Sequence, residues 1–114
     1  MIIYKQLTFD SAHRLDLPYE SKCNQLHGHR YKIEIWISGE PNRNGMIIDF
    51  SEIKNVINNF DHIYLNDIIK NPTLELLVIH IRSRIASECN INLDNIKIRL
   101  WENESSYIED GEIK

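Results

Sequence analysis

Residues 2–13 and 29–39 each alternate apolar and polar side chains with a period near two, the spacing of a half-buried β-strand. In the first run Ile3, Leu7, Phe9, Ser11 and His13 share one parity, and in the second His29, Tyr31, Ile33, Ile35 and Ile37 do. The histidines therefore continue the apolar faces. Lys32 and Glu34 fall on the opposite side, so the sheet is expected to bury one face and leave the other more polar, as antiparallel sheets often do. Period two also turns His27 and His29 the same way, so both can grip one ion. His13 meets that pair if the two strands are neighbours. Neutral imidazoles are good zinc ligands, and three protein ligands with an open fourth position are the arrangement of catalytic zinc. His13, His27 and His29 are thus the candidate ligands of a Zn2+ cofactor.

Between these runs, Leu15–Leu26 reads as a loop carrying Pro18 and Cys23. After the turn at 39–45 and a short run at 46–48, Asp49-Phe50-Ser51-Glu52 resembles a capping box, with Asp49 accepting from free amides and Glu52 reaching back. Ile53, Val56, Ile57 and Phe60 follow at helical spacing. Pro72-Thr73 offers a second start with Thr73 as N-cap, and Leu74, Leu77, Val78, Ile81 and Ile85 form a buried stripe running to about Cys89. Ile96, Ile98, Leu100 and Glu102 then alternate with polar neighbours as another strand, with a short one through Tyr107. The expected order is ββααββ, an α+β domain spanning 1–114 with an antiparallel four-stranded sheet and two helices on one face. A hydrophobic content of 42% suffices for one packed core.

A formal charge of -4 disfavours nucleic acid or an anionic membrane surface as the main partner. The sequence has no run of apolar residues that would span a bilayer, and Met1–Lys5 lacks the order of a signal peptide, so a cytoplasmic location is expected. Cys23 and Cys89 read as reduced thiols.

Three further features carry chemistry. In Asp61-His62 an aspartate can orient an imidazole or tune its basicity, the alternative being a turn with an exposed histidine. Glu102 has the apolar parity of its strand, a costly place for a carboxylate without a partner. It is either a strand-end residue reaching solvent or a carboxylate for a ligand with adjacent N–H donors. Cys23 is either a small buried hydrophobe or, beside zinc, a base or nucleophile.

Phe9-Asp10-Ser11-Ala12-His13, Cys23-x3-His27-Gly28-His29, Gly45-Met46-Ile47-Ile48-Asp49-Phe50, Asp61-His62-Ile63-Tyr64-Leu65-Asn66, Pro72-Thr73-Leu74-Glu75 and Trp101-Glu102 occur in this order along nearly the whole chain. Together they resemble the 6-pyruvoyl-tetrahydropterin synthase family. The three residues between Cys23 and His27 resemble its queuosine-pathway branch, 6-carboxy-5,6,7,8-tetrahydropterin synthase; five there would look more like the pyruvoyl branch. The resemblance implies a T-fold enzyme acting on 7,8-dihydroneopterin triphosphate, releasing triphosphate and, in the carboxy branch, acetaldehyde. It implies zinc on His13, His27 and His29, Cys23 as proton acceptor, Asp61 and His62 as a relay, and Glu102 gripping the pterin ring with help from Thr73. It also implies a homohexamer built as a dimer of trimers. The rival readings are a pyruvoyl-type synthase that eliminates triphosphate only, and a non-catalytic T-fold protein binding zinc or a purine-like ligand. One departure is Leu76, where the family usually continues Pro-Thr-x-Glu with Asn; an amide hydrogen bond is lost there.

Overall fold

The computed structural model describes residues 1–113. Its centre is a long antiparallel pair, β1 (Ile2–His13) and β2 (His27–Ser38), in which Phe9 lies opposite Tyr31, Ser11 opposite His29 and His13 opposite His27. β2 starts two residues earlier than the alternation predicts, because Gly28 carries no polarity and His27 already has the pairing parity. Two helices follow, α1 (Phe50–Asn58) and α2 (Leu74–Glu88), then β4 (Ile96–Asn103) and β5 (Ser106–Asp110). The expected four strands are five. β3 (Ile63–Tyr64) lies between the helices in sequence and pairs parallel to β1 at Ser11 and Ala12, so the sheet is mixed, with order β3-β1-β2-β4-β5. The element order is accordingly ββαβαββ. Two residues are too few to display a period, which is why β3 leaves no trace in the sequence pattern.

Each helix starts where its cap residue stands. The Asp49 carboxylate accepts from the Ser51 N–H, and the Thr73 hydroxyl from the Leu76 N–H. Glu52 does not complete the capping box with a side-chain bond among the described residues. α2 ends as Asn90 takes a left-handed backbone (φ 54°) and the Ile91 N–H reaches back to Ala86 C=O, a Schellman closure. Both helices cover the same sheet face. Ile53, Val56, Ile57, Leu77, Val78, Ile81 and Ile85 pack on Phe9, Tyr31, Ile33, Ile35, Ile37, Ile96, Ile98 and Leu100 in a single apolar cluster. Each aliphatic side chain fully buried here contributes about 1.5–3 kcal/mol.

Among the described residues the opposite face carries no helix, and the carboxylate of Glu34 there is satisfied, accepting from Tyr4 Oη at 2.6 Å and Trp101 Nε1 at 2.7 Å. None of the helices is long and apolar enough to cross a membrane.

Candidate active site

Where the core face of β1 and β2 runs out, the apolar side chains give way to three imidazoles. His13, His27 and His29 can each offer a ring nitrogen within 4.8 Å of the others. Their rings meet edge to face, with centroids 4.5–5.1 Å apart. The tautomers of two are set by backbone acceptors. His13 Nδ1 lies 2.8 Å from Pro72 C=O and His27 Nδ1 lies 2.7 Å from Gln25 C=O, so both carry a proton on Nδ1, and in the neutral tautomer this selects, Nε2 is the nitrogen with the lone pair. Those two Nε2 atoms face each other at 2.9 Å. Two lone pairs at that distance repel unless something cationic lies between or beside them.

The third imidazole points the same way. His29 Nε2 is buried without a hydrogen-bond partner, 3.2 Å from Glu102 Oε1 but outside hydrogen-bonding geometry. Burial pushes the pKa values of His13 and His29 down, which keeps them neutral and ready to ligate. A tetrahedral metal with Zn–N bonds of about 2.0–2.1 Å would space its nitrogens roughly 3.3 Å apart. The three residues fit such an ion with small adjustments. Tyr31, buried beneath them, brings its hydroxyl within 3.5 Å of His13 Nδ1.

The other candidate residues are distributed around this nest. Glu102 is half-buried beside His29, and both line a groove of about 540 Å³ with Arg30, Lys32 and Trp101. Asp61 is anchored to β1, its Oδ1 accepting from the Asp10 N–H at 2.8 Å, while its Oδ2 lies 2.9 Å from His62 Nδ1. The Asp10 amide, helped by His62, holds the Asp61 carboxyl below the usual carboxylate range. His62 itself is exposed with a left-handed backbone (φ 56°), and its N–H donates to Asp10 C=O. It lines a second groove, also of about 540 Å³, with Asp10, Ser11 and His29. The two grooves thus meet at His29.

Cys23 sits half-buried in a one-turn 3-10 helix capped by Ser21 and is not part of the imidazole cluster. Thr73 spends its hydroxyl on the α2 cap, next to the Pro72 carbonyl that orients His13. Within one chain neither Cys23 nor Thr73 lines either groove. His80 lies apart from this site, half-buried and edge-on to Phe60 at 5.9 Å. Sequence reasoning passed over Asp10, Tyr31 and the carbonyls of Gln25 and Pro72. Asp10 and Tyr31 stand inside or beside the quoted motifs, whereas a backbone acceptor has no signature in a sequence.

The model of the family described as 6-pyruvoyl tetrahydropterin synthase matches residues 2–112. The chain belongs to that family. It is 37% identical to a Pyrococcus abyssi protein provisionally named 6-carboxy-5,6,7,8-tetrahydropterin synthase, over 94% of this chain and 87% of that one. It is 31% identical to the dihydroneopterin monophosphate aldolase of Pyrococcus furiosus, over 95% of this chain and 94% of that one. Among solved structures, the Caenorhabditis elegans 6-pyruvoyl tetrahydropterin synthase superposes with a TM-score of 0.78 at 22% identity, covering 98% of this chain and 95% of that one. That likeness establishes a common fold.

Proposed function

We propose that this family member is a zinc-dependent carbon–carbon lyase, a 6-carboxy-5,6,7,8-tetrahydropterin synthase of queuosine and 7-deazaguanine biosynthesis acting in the cytoplasm. It takes 7,8-dihydroneopterin triphosphate and water to 6-carboxytetrahydropterin, acetaldehyde and triphosphate. The observation that carries this reading is the convergence of three imidazoles, with the Nε2 atoms of His13 and His27 facing at 2.9 Å beside an unpartnered His29 Nε2. The 37% identity to the Pyrococcus abyssi protein supports the branch.

His13, His27 and His29 would hold the zinc, which when bound supplies Lewis acidity to the side-chain hydroxyls of the substrate. Ligation of His29 leaves Glu102 free to accept two parallel N–H bonds from the guanidine-like edge of the pterin, with Thr73 assisting. Cys23 takes a proton from the side chain. His62, oriented by Asp61, returns one. The reaction therefore needs both grooves that meet at His29.

Product analysis with 7,8-dihydroneopterin triphosphate tests the reading. Acetaldehyde and triphosphate together support it, triphosphate alone makes the chain a pyruvoyl-type synthase, and neither product sinks both. The likeness to the Pyrococcus furiosus aldolase favours a second reading, aldol cleavage of a dihydroneopterin monophosphate. Supplying that monophosphate to the same preparation distinguishes it.

A further inference from the structure

The carboxylate of Asp10 has no role in the chemistry above, although its main chain holds the Asp61–His62 pair in place. Its N–H donates to Asp61 Oδ1 and its C=O accepts from the His62 N–H at 2.6 Å, while the neighbouring Ser11 hydroxyl donates to Phe60 C=O. Residues 60–62 are therefore fastened to β1 one after another by bonds in which the Asp10 side chain takes no part.

That side chain faces two ways. Asp10 stands directly opposite Arg30 across β1 and β2, so both rise from the same face of the sheet. Arg30 Nε and Nη2 donate to the two oxygens of Asp10 at 2.9 and 3.1 Å, the fork-on-fork arrangement of a guanidinium with a carboxylate. One oxygen each of Asp10 and Asp61 and one ring nitrogen of His62 also lie within 4.8 Å of one another. The imidazole is thus flanked by two carboxylates, and among the described residues only that of Asp10 is paired with a guanidinium. Arg30 holds the Asp10 carboxyl below the usual carboxylate range, with a smaller push from His62. Asp61 in turn adds weakly to the Asp10 bonds that keep Arg30 ionised. The other titratable side chains lining the groove around His62 are His29, which burial keeps neutral, and Tyr64.

We propose that Asp10 and Arg30 are positioning residues for His62: Asp10 supplies a second carboxylate beside the imidazole, Arg30 restrains it, and their balance sets the pH range in which His62 can give up a proton. The inference rests on the reading of His62 as the group that returns a proton. All four residues belong to one chain, so the balance is the same whichever subunit supplies the thiol. The side chains of His62 and Arg30 are 79% and 74% exposed, so their surroundings are close to water. A charge within 4.8 Å then displaces a titration by roughly half a pH unit.

The test reads the His62 ring directly, by NMR titration of the full-length zinc-loaded protein made with isotope-labelled histidine, the His62 signal being the one missing from His62→Gln. Asp10→Asn should lower the His62 midpoint by roughly half a unit, because one anion goes and the cation stays. Arg30→Gln should raise it by about as much, because the anion is left uncovered. The double variant should return close to the wild type. Arg84→Gln, which breaks a similar pair with Glu88 on α2, should leave the midpoint in place. The alkaline limb of kcat against pH, where a proton donor is spent, should move with the ring in each case. A merely structural loosening would move both single variants the same way or neither. Either outcome overturns the proposal, as does an equal shift in Arg84→Gln. Should Asp10→Asn not fold, Arg30→Gln and Arg30→Lys carry the test: the lysine keeps the charge but not the fork, and it must shift the ring less than the glutamine does. If the wild-type protein turns over no pterin, or the limb stays put while the ring moves, the proposed role of His62 fails by itself. The ring titration then still decides the pairing.

Discussion

At the scale of residues, the division between ligands and proton carriers makes a sharp prediction. Cys23 is not part of the imidazole cluster, so Cys23→Ala is expected to keep zinc while losing two to four orders of magnitude in rate, roughly the worth of a positioned base. His27→Ala should lose metal and turnover together; metal analysis beside turnover assays separates the two cases. Loss of zinc from Cys23→Ala, with activity kept in the metallated remainder, would mean the thiol is a ligand. Asp61 supplies a pH dependence. A carboxyl ionised more readily in the folded chain than in the unfolded one stabilises the fold above its unfolded value, and this is lost as pH falls through the lower folded value. The Asp61 contribution therefore persists at neutral pH and disappears below about pH 4. Asp61→Asn keeps an oxygen for the Asp10 N–H but removes the titration, so its urea midpoint should fall less steeply between pH 4 and 2 than that of the wild type. Part of this was legible in the sequence: parity put His27 and His29 on one face and Glu102 in line with the core of its strand, while His13 joined them through the pairing of β1 with β2. The contact of His29 with Glu102 depends on strands distant in sequence coming together, and no local pattern encodes it.

At the scale of elements, the start of α2 has two duties. Thr73 caps the helix, and the carbonyl just before it holds the His13 ring. Thr73→Ala should cost about 1 kcal/mol of stability by urea unfolding and also weaken zinc in competition with a chelator, with Thr73→Ser restoring both. A lost cap with unaltered zinc affinity would show that the two duties are independent. At the other end of the chain Gly111 takes φ 90°, and an added Cβ would lie 2.2 Å from Ile96 C=O and 2.7 Å from Arg82 Nε. Arg82 cannot give way cheaply, because its guanidinium donates to Ile96 and Leu93 carbonyls. Gly111→Ala should lower the thermal midpoint, the left-handed backbone alone costing an alanine about 1–2 kcal/mol. The helices were readable because Asp49 and Thr73 announce them and the stripes behind are long. β3 was not, since its pairing is decided by Asp10 and His62 meeting across the fold.

At the scale of the whole molecule, the sheet is left open along most of β1. Asp10 turns both its N–H and its C=O toward the β3 side, so by the period of a strand Tyr4, Gln6 and Thr8 turn theirs the same way, past the end of β3. Those groups have no backbone partner among the described residues, and β5 presents the other edge. Open edges invite pairing with another chain, in keeping with the expected dimer of trimers. Light scattering at micromolar concentration should report an assembly, and a monomer would refute it. Gln6→Pro removes one outward N–H and should dissociate the assembly without unfolding the chain. Assembly would also bring a neighbour's residues to the grooves that Cys23 and Thr73 do not reach from within their own chain.

The anchors of the imidazole nest have a further consequence. His13 and His27 are aimed by carbonyls, at Pro72 and Gln25, and every amino acid that replaced those two would still bring a carbonyl. No single substitution can delete such an acceptor; it can only move it. The orientation of these ligands is thereby uncoupled from the identity of the residues that hold them, so descendants of this chain can rewrite positions 25 and 72 freely so long as the backbone path survives. Loss of metal binding by mutation should therefore arise at the three histidines themselves, at residues such as Thr73 that hold the backbone path, or from insertions and deletions that shift those two loops.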